Sequence, residues 1–119
     1  AASDVYKRQY QSNLQEPRCQ ASIHRYSPNR LSDKDRVLFS NPDHDTKRIN
    51  LSVKLSYDGA KTWPVAKSLY PGPSAYSCLA TLSDGRIACL YEAGRQNPYE
   101  KIVLALFTLD WLTDGKDTL

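Results

Sequence analysis

Three residues of this chain combine side-chain types that a site could use: Arg48 in Lys47-Arg-Ile-Asn-Leu-Ser-Val, Tyr76 in Pro71-Gly-Pro-Ser-Ala-Tyr-Ser-Cys-Leu, and Glu92 closing Cys89-Leu-Tyr-Glu. Arginine carries a permanent charge on a planar fork that donates two parallel hydrogen bonds, which suits it to a carboxylate. A tyrosine phenol, with an ordinary pKa of about 10, is a poor nucleophile at neutral pH unless a neighbouring base takes its proton. A carboxylate can lock an arginine in direction from behind. Each also has a plainer role. Arg48 follows a polar loop and fits a solvated strand edge, Tyr76 is one of eight tyrosines, and Glu92 fits a surface acid.

Other reactive types do not assemble. His24 and His44 have no partner at metal-ligand spacing, and Ser74 and Ser77 lack the Gly-x-Ser-x-Gly turn of a serine nucleophile. Cys19, Cys78 and Cys89 form no Cys-x-x-Cys pair and are odd in number, so neither a zinc site nor a disulfide framework is expected. They read instead as small apolar side chains, Cys78 and Cys89 in strands, and leave the redox compartment open. Neither metal nor cofactor is called for.

The elements that must position these residues are short and β-prone. Seven such runs, at 19–26, 36–40, 50–56, 66–70, 76–82, 86–92 and 101–108, are separated by turn formers such as Asn41-Pro-Asp-His-Asp, Pro71-Gly-Pro-Ser and Ser83-Asp-Gly. Their even spacing suits either a β-sandwich or the blades of a propeller. Leu51, Val53 and Leu55 alternate into an Asp58-Gly59 turn that leaves through Thr62-Trp63-Pro64-Val65, the pattern of a β-hairpin. There Asp58 can accept turn amides, Gly59 can take a positive φ, and Trp63 can plug the hairpin against its sheet. A short helical turn carrying Trp111 follows the last run. Residues 1–9 show no strand alternation and are set aside as a leader foreign to the fold.

With 40% hydrophobic and 24% charged residues the 119-residue chain has the composition of a globular domain. Its net charge of +3 comes from dispersed residues without a Lys/Arg run, so nucleic acid is not an expected partner. The longest apolar run, 102–107, is far short of the roughly 20 residues of a membrane-spanning helix.

The hairpin string Ser56-Tyr-Asp-Gly-Ala-Lys-Thr-Trp63 resembles the Asp-box of sialidase-type β-propellers, Ser-x-Asp-x-Gly-x-Thr-Trp. Ser56, Asp58, Thr62 and Trp63 fall on the pattern, Ala60 stands where it has Gly, and Gly59 lies one place early. In that family the box is structural and joins the third and fourth strands of a blade. The stretches around Arg48, Tyr76 and Glu92 are similar, in order and at intervals of 28 and 16 residues, to sialidase segments. Those segments bear the third arginine of the carboxylate-binding triad, the tyrosine nucleophile, and the glutamate that orients the first arginine. The resemblance runs from about Gln15 to the C-terminus.

This resemblance implies an all-β fold: about two four-stranded blades of a six-bladed propeller, the last incomplete, with 10–119 the C-terminal part of a sialidase propeller domain. Runs one to four would form one blade and runs five to seven three strands of the next. It further implies a retaining exo-α-sialidase that removes sialic acid from glycoproteins, glycolipids and oligosaccharides, in a family whose bacterial members are usually exported. Tyr76 would be the nucleophile, Arg48 would bind the substrate carboxylate, Glu92 would stand behind another arginine, and Gln20, in Cys-Gln-Ala-Ser on an innermost strand, would face the pocket. The family departs from the two-carboxylate rule of glycosidases. Its substrate bears a carboxylate on the carbon under attack, which repels an anionic nucleophile but admits a neutral phenol. No position here matches the first two arginines, the acid/base aspartate or the glutamate that activates the tyrosine, so the segment would carry about half of an active site and be inactive alone. The alternative is a non-catalytic Asp-box propeller that binds glycans or proteins, since a fold does not fix an activity.

Overall fold

The computed structural model describes residues 14–27 and 34–118; the leader expected at 1–9 lies outside them. Six strands follow one another: β1 (Ser22–Arg25), β2 (Val37–Pro42), β3 (Ile49–Ser56), β4 (Val65–Thr81), β5 (Ile87–Ala93) and β6 (Lys101–Phe107). A short helix, α1 (Leu109–Leu112), comes next. Each strand pairs antiparallel with the next in chain order.

The seven expected runs are six strands because Pro71-Gly-Pro-Ser is not a turn. β4 passes straight through it and changes partner there. Leu55↔Val65 to Ile49↔Pro73 pair with β3, and Ser74↔Ala93 to Thr81↔Ile87 pair with β5. Proline fits an extended strand where the ladder does not need its missing N–H, as at an exchange of partners. β4 therefore closes one four-stranded sheet (β1 to β4) and opens a three-stranded one (β4 to β6), which is two consecutive propeller blades joined by a continuous strand.

The two sheets share one core. Leu38, Leu51, Val53 and Leu55 from the first meet Leu79, Ile87, Cys89, Tyr91 and Phe107 from the second, and α1 adds Leu109 and Leu112. Each fully buried aliphatic side chain contributes about 1.5–3 kcal/mol. Cys89 is inside, its thiol pushed up to about 12 by burial. Cys78 lies in a strand, as expected, on the exposed face of β4. All three cysteines are free thiols.

The hairpin between β3 and β4 forms as read. Asp58 Oδ1 accepts from the Ser56 hydroxyl at 2.8 Å and from the amides of Lys61 and Thr62 at 3.1 and 2.8 Å, while Oδ2 accepts from the Thr62 hydroxyl. The Thr62 hydroxyl first, then its amide and Ser56, hold the Asp58 carboxyl down at about 2. Gly59 takes φ +72°, and so does Ala60, a conformation that costs a residue with a Cβ about 1–2 kcal/mol. The family pattern has glycine at that place for this reason. Trp63 is half-buried against Phe39, ring centroids 5.6 Å apart. α1 is the expected helical turn, with the Thr108 hydroxyl accepting from Trp111 N at 3.0 Å.

Candidate active site

Arg48 immediately precedes β3, Tyr76 follows the partner exchange in β4, and Glu92 is the sixth residue of β5. The ladder between β4 and β5 shifts register between Ser74 and Ser77. Such a bulge re-aims the side chains it carries. Within it, Tyr76 is 46% exposed, between the buried Ala75 and Ser77, and its backbone N–H donates to Glu92 Oε1 at 3.2 Å. Arg48 reaches over from the neighbouring strand, its guanidinium carbon 5.7 Å from the centroid of the Tyr76 ring. The three residues thus come together, although 44 positions separate the first from the last.

Tyr76, Cys78, Glu92, Ile102 and Gln20 line an open cleft of about 240 Å³. Gln20 faces this cleft from the segment ahead of β1, not from within a strand as expected. Ser56 and Asp58 lie at the far end of β3, eight residues long and so about 25 Å from its Arg48 end. The Asp-box is therefore remote from the cleft.

Arg48 is held from two further sides. One terminal nitrogen donates to the Tyr99 hydroxyl and the other to the Arg18 carbonyl at 2.8 Å. Its other three N–H groups have no hydrogen-bond partner among the described residues. Burial opposes its charge, but the fields of Cys19, Tyr99 and Tyr76 outweigh that and hold its pKa above the ordinary arginine value. Beneath the cleft, the Ser40 and Ser77 hydroxyls share a hydrogen bond of 2.7 Å, which satisfies two buried polar groups between β2 and β4. His44 shapes the loop that delivers Arg48: its Nδ1 accepts from the amides of Thr46 and Lys47 at 3.1 and 2.9 Å. His24 is engaged with Thr81 at 2.8 Å. Among the described residues no three His, Cys, Asp or Glu side chains group to hold a metal ion.

Sequence reading missed Tyr99. It is a loop tyrosine with no periodicity to mark it. The local signal was its neighbours Asn97 and Glu100, which build a turn from their own side chains.

Tyr76 and Glu92 thus line one cleft, and the Arg48 guanidinium lies over the Tyr76 ring beside it. No protein-family model matches the chain. The sialidase of Micromonospora viridifaciens is 38% identical over 103 residues, covering 84% of this chain and 15% of that protein. The sialidase of Bacteroides fragilis is 34% identical over 84 residues, covering 67% and 15%. Mouse (Mus musculus) sialidase-3 is 37% identical over 75 residues, covering 60% and 18%. Among solved structures, a Hadza microbial sialidase superposes with a TM-score of 0.74 at 33% identity, over 87% of this chain and 20% of that one. An intramolecular trans-sialidase from Ruminococcus gnavus, at 24% identity and TM-score 0.62 over 80% and 23%, shares the fold. The chain belongs to the sialidase family, and it spans less than a fifth of the length of these curated relatives.

Proposed function

We propose that this chain is part of a retaining exo-α-sialidase, a hydrolase that releases terminal sialic acid from glycoproteins, glycolipids and oligosaccharides. The observation that carries this reading is the Arg48 guanidinium lying over the Tyr76 ring at 5.7 Å, with Glu92 bonded to the Tyr76 backbone. The sialidases among its relatives support it.

Arg48 takes the substrate carboxylate through its free N–H edges and fixes the anomeric carbon above Tyr76. The Tyr76 oxygen then bonds to that carbon as the bond to the leaving glycan breaks. The phenol proton passes to a base and the leaving oxygen gains a proton from an acid, neither of which has a match in these residues. Water next attacks the same carbon, the phenolic oxygen leaves and regains its proton, and two displacements give retention. Glu92 fixes the Tyr76 backbone and stands behind another arginine, while Gln20 faces the bound sugar. The 119-residue chain by itself lacks the other partners of this constellation and is inactive, because groups that act as a unit lose most of their effect together.

The test is made in the full-length protein. A fluorinated sialoside should leave a covalent label that intact mass and peptide mapping assign to Tyr76, and Tyr76→Phe should remove the label while retaining ligand binding. A label on any other residue removes the nucleophile assignment. Binding of sialic acid without any label or turnover would favour a non-catalytic propeller.

A further inference from the structure

We infer that Tyr99 is a positioning residue for Arg48, setting the direction in which its guanidinium meets a carboxylate. The inference rests on the reading of Arg48 as the carboxylate-binding arginine. Arginine ends a long, flexible stem, and two parallel hydrogen bonds to a carboxylate form only when the fork is held in one plane and direction. Three contacts hold it: the Tyr76 ring at 5.7 Å, the Arg18 carbonyl at 2.8 Å, and the Tyr99 hydroxyl, which comes from 51 residues away. Of the three, Tyr99 alone binds the guanidinium through a side chain that has no proposed part in the chemistry.

The loop between β5 and β6 is built to present that hydroxyl. At Gly94 the chain folds back so closely that a Cβ would stand 2.0 Å from the Asn97 carbonyl oxygen and 2.5 Å from Glu100 Oε2. The Glu100 carboxylate accepts from the amides of Gln96 and Asn97 at 2.7 and 2.9 Å, and Asn97 Oδ1 accepts from the Tyr99 amide at 2.9 Å. Tyr70 reaches across from β4 to donate to the Gly94 carbonyl at 2.7 Å. The loop is thus fixed by its own side chains and by its neighbour strand. Yet the tyrosine it carries is 56% exposed, so burial of the ring does not account for its placement, and the contact that remains is its hydroxyl on Arg48.

The experiment compares Tyr99→Phe, Arg48→Ala and the double variant in the full-length protein, using a fluorogenic sialoside and calorimetry. Loss of one charge-assisted hydrogen bond at an exposed site should raise KM roughly fivefold in Tyr99→Phe. The turnover number and melting temperature should stay near wild type, and in the Arg48→Ala background Tyr99→Phe should add nothing. If Arg48→Ala leaves KM unchanged, the reading of Arg48 fails, and this inference with it. If Arg48→Ala raises KM but Tyr99→Phe does not, Tyr99 alone is removed from the site. A melting temperature lowered without a change in KM makes Tyr99 merely structural, and an additive effect in the double variant makes it a substrate contact; either overturns the inference.

Discussion

Arg36 and Asp117, 81 residues apart, form a two-bond fork in the interior: Nε and Nη2 of the arginine meet the two carboxylate oxygens at 2.9 and 2.8 Å, each side chain 3% exposed. Tyr57 adds a hydrogen bond to the same carboxylate at 2.7 Å, and its own phenol is pushed up to about 12, by burial first and then by that bond. The fork ties the end of the described chain to the first blade. Asp117→Ala leaves a buried cation without its main partner and should cost about 3 kcal/mol. Urea denaturation followed by tryptophan fluorescence measures it, and a loss below about 1 kcal/mol, the value of an exposed pair, would refute the clamp.

Ala60 holds φ +72° in the Asp-box turn while its amide donates to Ser56 Oγ at 2.9 Å. Ala60→Gly removes the left-handed strain but adds chain entropy to the unfolded state, for a net gain of about 0.5–1 kcal/mol. The same urea titration reads the gain. A destabilised glycine variant would mean that the alanine methyl contributes packing the turn needs.

Asp58 has a folded pKa depressed from 3.8 to about 2 by Thr62 and Ser56. A depressed acid stabilises the fold above its unfolded pKa, and that contribution disappears as pH falls through the folded value. The melting temperature of the wild type should therefore fall more steeply than that of Asp58→Asn between pH 4 and pH 2, with the two curves parallel above pH 5. Parallel curves through the whole range would remove Asp58 as the source of acid sensitivity in the hairpin.

One face of the second blade carries Tyr76, Leu90, Leu104 and Leu106, each 46% to 58% exposed, and Ile102 at 71%, beside an edge of β6 that pairs with no other strand among the described residues. Leu90 is paired with Leu104 and Glu92 with Ile102, so these side chains form one surface. A contiguous apolar face next to a free strand edge recruits other chains. The isolated 119-residue chain should self-associate at micromolar concentration, and Leu104→Glu should shift it toward monomer in light scattering. A monomeric wild type that melts sharply would show that the face is stable in water.

The amino-acid sequence by itself determined what depends on neighbours along the chain. The Asp58 hairpin was legible because its bonds span two to four residues, from Ser56 to Thr62, and the alternation of Leu51, Val53 and Leu55 marks β3 as a strand, although the Ser52, Lys54 and Ser56 face is buried as well. The candidate set Arg48, Tyr76 and Glu92 was legible only through likeness to other sequences, since nothing local brings those residues together. Turn chemistry misled at Pro71-Gly-Pro-Ser, because the partner that keeps this stretch extended changes from β3 to β5, a fact about pairing that composition cannot carry. The tertiary structure alone decided that Arg48 lies over Tyr76, that Tyr99 meets Arg48 across 51 residues, and that Asp117 closes on Arg36. The physical reason is range: a turn is fixed by torsions and hydrogen bonds among adjacent residues, whereas a site assembled from three strands and a loop exists only after the sheets have found their register and shared a core.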